Sequence, residues 1–380
     1  MIGLLGGGQL GRMMIQAAHA LGERVVVLDP DAQGPAAQIA DQVICSPYTD
    51  SDGLGQLSAA AQVFTTEFEN VPAESLRFLA RHGRTMPDAR SVAVAQDRID
   101  EKRFIVSCGI DVAPHAVISR LDDFDDLEES LFPGILKSAR LGYDGKGQHK
   151  VDTATQARAA WQSMGSVACV LEKRLPLERE ISVICARDQQ GALAVFPVGE
   201  NTHRHGILAV TRVPAAVSSA VAEQACQAAR QIAQSLAYVG VLCVEFFVLS
   251  GGRLIVNEIA PRPHNSGHYT IEACETSQFE QQVRICSGRP LGDTGLKSCA
   301  IMLNVLGDAW FKSSASPVEP DWEAVRAQPD VYVHLYGKSD PRVGRKMAHV
   351  TCLGGSMDEA LTRARIVADI LGLDVGDGLA

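Results

Sequence analysis

Two acidic residues set inside otherwise apolar strand patterns constrain this chain more than any other feature. Val241-Leu242-Cys243-Val244-Glu245-Phe246-Phe247-Val248-Leu249 reads as one strand, and Arg253-Leu254-Ile255-Val256-Asn257-Glu258-Ile259 as the next. Gly251-Gly252 as a two-residue loop predicts a hairpin with Ser250 opposite Arg253 and Glu245 opposite Glu258, the two glutamates on one side of the sheet. Cβ atoms so opposed lie ~5 Å apart, where two like charges repel unless something lies between them. Asn257 adds a further oxygen. An oxygen-only set suits Mg²⁺, which takes one or two carboxylates plus nucleotide phosphates. A hairpin with exposed polar residues would carry the same letters, so the rest of the chain has to arbitrate.

The N-terminal residues read as a βαβ unit. Met1 to Leu5 form a strand, Gly6-Gly7-Gly8-Gln9-Leu10-Gly11-Arg12 a turn, and Met13, Met14, Ala17, Ala18 and Leu21 one side of a helix that Gly22 ends. Val25-Val26-Val27-Leu28 is the second strand and closes on Asp29. The Gly6-x-Gly8-x-x-Gly11 spacing with that acidic residue is the dinucleotide-binding pattern, so a nicotinamide oxidoreductase stands as one reading. The glycines by themselves require only that something approach the backbone at a helix N-terminus. Short strands at Val43-Ile44 and Val63-Phe64-Thr65 extend a parallel sheet, and Glu67-Phe68-Glu69-Asn70-Val71-Pro72 puts two carboxylates at the edge where such sheets bind ligands.

With 380 residues the chain has material for two or three domains, and a net charge of −10 with no long basic block argues against nucleic acid or a membrane surface as partner. No apolar stretch reaches the ~18 residues of a spanning helix, and a secretory leader is not expected. Ten cysteines, scattered singly with no CxxC, read as small buried hydrophobes of a reducing, cytoplasmic compartment.

Asp97 to Phe104 is a charged helix, most simply a solvated face. Pro133 to Lys137 is a strand ending in lysine, followed by the glycine-rich Gly142-Tyr143-Asp144-Gly145-Lys146-Gly147-Gln148, suited to covering phosphates although not a Walker loop. Val167 to Leu171 reads as a strand, Glu172-Lys173-Arg174-Leu175-Pro176 as a connecting segment, and Glu178 to Ile184 as the entry to another strand. Such a connecting segment permits a grip on an adenine and its ribose. Glu200, Asn201, His203 and His205 cluster without zinc spacing. Pro261-Arg262-Pro263-His264-Asn265-Ser266-Gly267-His268-Tyr269 holds donors for a small anion beside the carboxylates, and Gly344-Arg345-Lys346 repeats that character. No serine sits in a nucleophile elbow and no cysteine has a convincing base, which disfavours covalent catalysis.

Together these segments resemble the ATP-grasp ligases, and within them the carboxylating enzymes of microbial purine synthesis, nearly end to end. The resemblance implies a mixed α/β and α+β architecture: an N-terminal Rossmann-like pre-ATP-grasp domain over 1–95, a small ATP-grasp lobe or lid over 96–175, a large lobe with the metal site over 176–292, and a small C-terminal domain over 293–380 packed on the first. It implies that Gly8, Gln9, Leu10, Glu69, Asp144, Lys146, Arg345 and Lys346 face a ribonucleotide, replacing the dinucleotide reading of the glycines. ATP would be held by Arg98, Lys137, Gly142, Tyr143, Asp144, Gly145, Lys146, Gly147, Gln148, Glu172, Lys173, Arg174, Leu175, Glu180, Asn257 and Glu258. Glu245 and Glu258 would bind Mg²⁺, while Arg262, His264 and Asn265 would line the bicarbonate pocket and, with Lys346, be catalytic. Glu200, aligned beside a nucleotide contact, receives no role.

The implied reaction activates bicarbonate, a poor electrophile, by phosphoryl transfer from ATP, and passes the carboxyl group to the amine of aminoimidazole ribonucleotide. A homodimer and a transient hand-over of the labile product to the mutase that rearranges it would go with it. The alternatives are a sister ligase such as a formate-using glycinamide ribonucleotide transformylase, the nicotinamide oxidoreductase, and a non-catalytic nucleotide-binding module.

Overall fold

Consecutive valines, buried on both faces, explain the first sheet. The computed structural model describes residues 1–142, 147–312, 314 and 316–379. Five parallel strands lie in the spatial order Gln42–Cys45, Val25–Asp29, Ile2–Leu5, Val63–Thr66, Arg84–Thr85. Leu4, Val25 and Val27 pack with Met13, Met14 and Ile15 of the helix Gln9–Ala20, while Leu5, Val26 and Leu28 pack with Leu54 and Leu57 of the helix Ser51–Ala60. Both faces are therefore covered, and a fully buried side chain of this size contributes roughly 1.5–3 kcal/mol. The strand order reverses between Ile2–Leu5 and Val63–Thr66, so a crevice opens beyond Leu5 and Thr66, at Gly6–Gly8 and Glu67.

A four-stranded antiparallel sheet follows, ordered His115–Ile118, Cys169–Lys173, Gly134–Ser138, Gln148–Val151. Glu172 and Lys173 belong to its second strand, paired with Ile135 and Gly134, and not to the connecting segment expected from the sequence. The antiparallel pairing with Gly134–Ser138 runs on through both residues, which accounts for the longer strand.

Nine strands form the largest sheet. Along its path lie Arg253–Ala260, Gly240–Leu249, Leu177–Arg187, Gly199–Arg204, Ile207–Val213, Cys299–Leu306, Lys346–Gly354 and Val331–Leu335, with Leu193–Val195 paired to Leu177–Arg187. The C-terminal strands thus continue the sheet through the pairing of Ile207–Val213 with Cys299–Leu306. The helix Ser219–Ser235 covers one face with Val221, Ala225, Ala229, Ile232 and Ala233, a helical stripe of mostly small residues.

The hairpin departs from its expected turn. Ser250–Gly252 form a three-residue turn with Gly251 and Gly252 at φ 78°, and Leu249 faces Arg253. A bulge then leaves Asn257 without a cross-strand partner, so Phe246 pairs with Val256 and Glu245 with Glu258. The longer turn and the bulge offset one another, and the expected glutamate pairing survives. Seven of the ten cysteines are buried, and among the described residues no helix is long and apolar enough to cross a membrane.

Candidate active site

Elements from all parts of the chain converge on a cleft of about 770 Å³. Its walls include Gly8, Gln9, Leu10 and Glu69 from the N-terminal crevice, Arg98 and Gly142, Glu258, Arg262, His264 and Asn265 after the hairpin, and Arg345 and Lys346 from the C-terminal residues. Tyr143, Asp144, Gly145 and Lys146, expected at the nucleotide and ribonucleotide, lie outside the described residues; Gly147 and Gln148 follow at the start of a strand.

At the crevice the backbone N–H groups are already engaged by the protein's own carboxylates. Gly7 donates to Asp29 Oδ2 at 2.6 Å, Gly8 to Glu67 Oε1 at 2.9 Å and Gly11 to Glu67 Oε2 at 3.0 Å. A Cβ on Gly8 would stand 2.7 Å from Glu67 Oε1, and one on Gly7 2.7 Å from Asp29 Cγ. The glycines therefore admit internal carboxylates, and the donors a pyrophosphate would need are occupied. That is the physical reason the dinucleotide reading fails here.

The glutamate pair occupies a mixed environment. Glu258 accepts from Arg98 Nη1 at 2.8 Å. Burial opposes its charge, yet Arg98, with help from Lys137, holds its carboxyl below the usual range. Glu245 is pushed upward by burial and by Glu258. Asn257 Oδ1, next to Glu258, is a buried acceptor with no hydrogen-bond partner. Two opposed carboxylates and an orphaned oxygen fit a hard divalent cation, which would relieve the repulsion and satisfy the acceptor. Cys243, Glu245 and His264 also place one ligand atom each within 4.8 Å of one another.

Lys137 and Glu172 sit diagonally on adjacent strands of the four-stranded sheet, with Lys137 Nζ 2.9 Å from Glu172 Oε2. Lys102 Nζ approaches the other carboxylate oxygen at 2.9 Å. Burial alone would raise the Glu172 carboxyl, but the two ammonium groups bring it down to about 2. Lys102 is a buried neighbour of this pair that the sequence reading left in solvent. Glu101 and Lys102 are both buried, at 2% and 1% exposure, and Glu101 accepts from Ile259 N–H at 2.7 Å. The expected solvated face is thus corrected: Arg98, Glu101, Lys102 and Ile105 lie at helical spacing on one side, and that spacing was the available signal.

His203, named in the polar cluster of the sequence but given no role there, pairs with a carboxylate. Its Nδ1 lies 3.0 Å from Glu180 Oε2, and although burial disfavours the cation, Glu180 raises its pKa. Glu200 instead accepts from Arg179 and from Ala216 N–H. Lys173 and Leu175 are half-buried and Arg174 is exposed.

Arg262 is buried against Glu69, its Nε donating to Glu69 Oε2. Gln278 clamps the His264 backbone, its Oε1 accepting from His264 N–H at 2.8 Å and its Nε2 donating to His264 O at 2.7 Å. A Cβ on Gly267 would strike that amide at 2.5 Å. Both amide atoms of Asn265 are buried without partners beside the cleft. They are donors and acceptors held ready for a ligand.

Residues 1–96 match the model of the ribonucleotide synthetase preATP-grasp domain, 103–279 that of the ATP-grasp domain, and 300–363 that of the phosphoribosylaminoimidazole carboxylase C-terminal domain. The chain is 44% identical to the N5-carboxyaminoimidazole ribonucleotide synthase of Brucella melitensis over 92% of this chain and 95% of that one. It is 38% identical to the Bacillus subtilis enzyme of the same name, over 94% and 92%. Among solved structures, the Staphylococcus aureus N5-carboxyaminoimidazole synthetase complexed with ADP superposes with a TM-score of 0.88 at 36% identity, covering 97% of this chain and 96% of that one. The Aspergillus clavatus synthase with ADP and 5-aminoimidazole ribonucleotide gives a TM-score of 0.88 at 29% identity, over 98% of each chain. With three successive domain matches and nearly full-length relatives at 38–44% identity, the chain belongs to the N5-carboxyaminoimidazole ribonucleotide synthase family of ATP-grasp enzymes.

Proposed function

We infer that the chain carboxylates 5-aminoimidazole ribonucleotide with bicarbonate, using ATP and yielding N5-carboxyaminoimidazole ribonucleotide, ADP and phosphate. The observation that carries this reading is the cleft itself, where Glu258 and Arg98, the donors Arg262, His264 and Asn265, and the rims Gly8–Leu10 and Arg345–Lys346 all open on one volume. Three reactants must meet in such a volume, because an activated bicarbonate hydrolyses if it waits in water.

Each group has a task that follows from its charge. Lys137, held by Glu172, presents a fixed cation to the transferring phosphoryl group. Arg262, fixed by Glu69, and the partnerless amide of Asn265 orient bicarbonate so that its oxygen meets the phosphoryl group. Arg345 and Lys346 anchor the ribonucleotide, whose amine then captures the carboxyl group as phosphate leaves. Glu245, Glu258 and Asn257 would hold Mg²⁺, which neutralises phosphate charge when bound. The same reading includes a homodimer, a transient hand-over of the product to the mutase, and a cytoplasmic location.

The test measures phosphate release from ATP, Mg²⁺ and bicarbonate, with and without the ribonucleotide, alongside incorporation of labelled bicarbonate. Release stimulated by the ribonucleotide with matched acid-labile label supports the assignment. Turnover without label transfer would redirect it to a sister ligase, and ATP binding without turnover would leave only a binding module.

A further inference from the structure

The His264 ring makes contacts that determine which of its nitrogens carries hydrogen. Its Nδ1 accepts from the backbone N–H of Ser266 at 3.3 Å, so the ring itself caps the short turn Asn265–Gly267. A backbone N–H can only donate, and Nδ1 must therefore offer a lone pair. Ser266 Oγ lies 2.9 Å from the same nitrogen, and Ser182 Oγ lies 2.8 Å from Ser266 Oγ. Ser182 reaches this point because it pairs across strands with Glu245 on the face that bears the glutamates. The far nitrogen, Nε2, stands 3.3 Å from Glu245 Oε1.

We propose that Ser266, supported by Ser182, is a positioning residue that fixes His264 in the Nε2–H tautomer, so that the ring donates towards Glu245 and the cleft. The hydroxyls then run in one direction: Ser182 donates to Ser266, Ser266 to Nδ1, and Nε2–H to an acceptor on the reactive side. Both serines are almost wholly buried, so bulk water does not compete for these contacts. One consequence concerns metals. An Nε2 that carries hydrogen has no lone pair for a cation, so Cys243, Glu245 and His264 do not act together as a thiolate–imidazole metal site despite their proximity. The role in turnover rests on the bicarbonate reading above, whereas the tautomer itself does not.

The experiment is ¹⁵N NMR of histidine-labelled full-length protein, with His264→Gln identifying the resonance, combined with steady-state kinetics of Ser266→Ala and Ser182→Ala. An unprotonated Nδ1 in the wild type is expected. Ser266→Ala keeps the backbone N–H that makes Nδ1 an acceptor, so Nδ1 should stay unprotonated while the ring loses its hydroxyl anchor, and kcat is expected to fall about tenfold, as for one lost buried hydrogen bond, with the KM for ATP unchanged. Ser182→Ala should lower kcat the same way by less. A protonated Nδ1 in the wild type, or Ser266→Ala with kcat intact, would overturn the proposal. His264→Ala turning over bicarbonate at the wild-type rate would defeat the bicarbonate reading and leave the wild-type tautomer result as a separate finding.

Discussion

Glu245 and Glu258 stand directly opposite one another across a hairpin, and Asn257 is the bulged residue that sets their register. A bulge re-aims the side chains beyond it, so Glu258 shares the face of Glu245 while its neighbour Asn257 keeps a buried oxygen without a partner. Glu258→Gln keeps the shape and removes the charge that Arg98 and a divalent cation would share. Turnover is expected to fall by a factor of ~10² or more, roughly 3 kcal/mol, by analogy with other preorganised charge-stabilising groups. Phosphate release measured across a range of Mg²⁺ concentrations decides it. Near wild-type rates throughout would remove Glu258 from the metal site.

That register shows what a sequence can and cannot disclose. The nearly continuous apolar runs from Val241 to Val248 and from Leu254 to Ile259, broken by Glu245 and by Asn257-Glu258, make the two strands legible, and with them the facing glutamates. Turn length is not legible, because a longer turn plus a bulge leads to the same pairing as a shorter turn without one. Lys102 is hidden for a different reason. A charged helix face ordinarily meets water, and its burial is tolerable only because Glu172, far along the chain, arrives to pair with it. At the glycine-rich turn the close approach is legible but its agent is not. Spacing cannot separate a ligand phosphate from the Asp29 and Glu67 carboxylates that fill the same positions.

Lys102→Met leaves Glu172 with Lys137 alone. Breaking a buried ion pair by removing one partner costs about 3–5 kcal/mol, and the lower end applies because Lys137 stays. The sign with pH follows from the direction of the shift. Glu172 ionises at about 2, below its ordinary range, so its stabilisation is present at neutral pH and is lost as pH falls towards that value. The gap in thermal midpoint between wild type and variant should therefore be large at pH 7 and shrink in acid. A gap that is constant with pH would mean that Lys102 contributes packing and not charge.

Glu101 works in the opposite direction. Burial, reinforced by the nearby Glu258, raises its carboxyl to about 8. A folded-state pKa above the unfolded one makes the protonated form the stabilising one. That contribution is complete below the ordinary carboxylate range and is lost as pH rises through about 8. Glu101→Gln keeps an oxygen for the Ile259 N–H and removes the titration. Urea midpoints of metal-free protein should decline from pH 5 to 8 in the wild type and decline less in the variant. Parallel profiles would show that Glu101 does not govern this dependence.

Arg345 lies at the end of the cleft contributed by the C-terminal residues, with Lys338, Arg342 and Lys346 on the same wall. Its Nη1 donates to Asp340 O at 2.6 Å, and its own carbonyl accepts from Gly307 N–H at 2.8 Å, so side chain and backbone are both held. A held guanidinium suits a phosphate monoester, which it can engage with two parallel donors. Arg98, Lys137 and Glu172 form a separate group with partners of their own. The two ends can therefore be told apart by kinetics. Arg345→Ala should raise the KM for the ribonucleotide about 10- to 100-fold, the range for a hydrogen bond to a charged group, and leave the KM for ATP nearly unchanged. The wild-type KM for the ribonucleotide should itself rise with salt, because this wall is open to solvent and its charges are screened. If Arg345→Ala instead raises the two KM values in parallel, Arg345 supports the whole cleft and is not the anchor of one substrate.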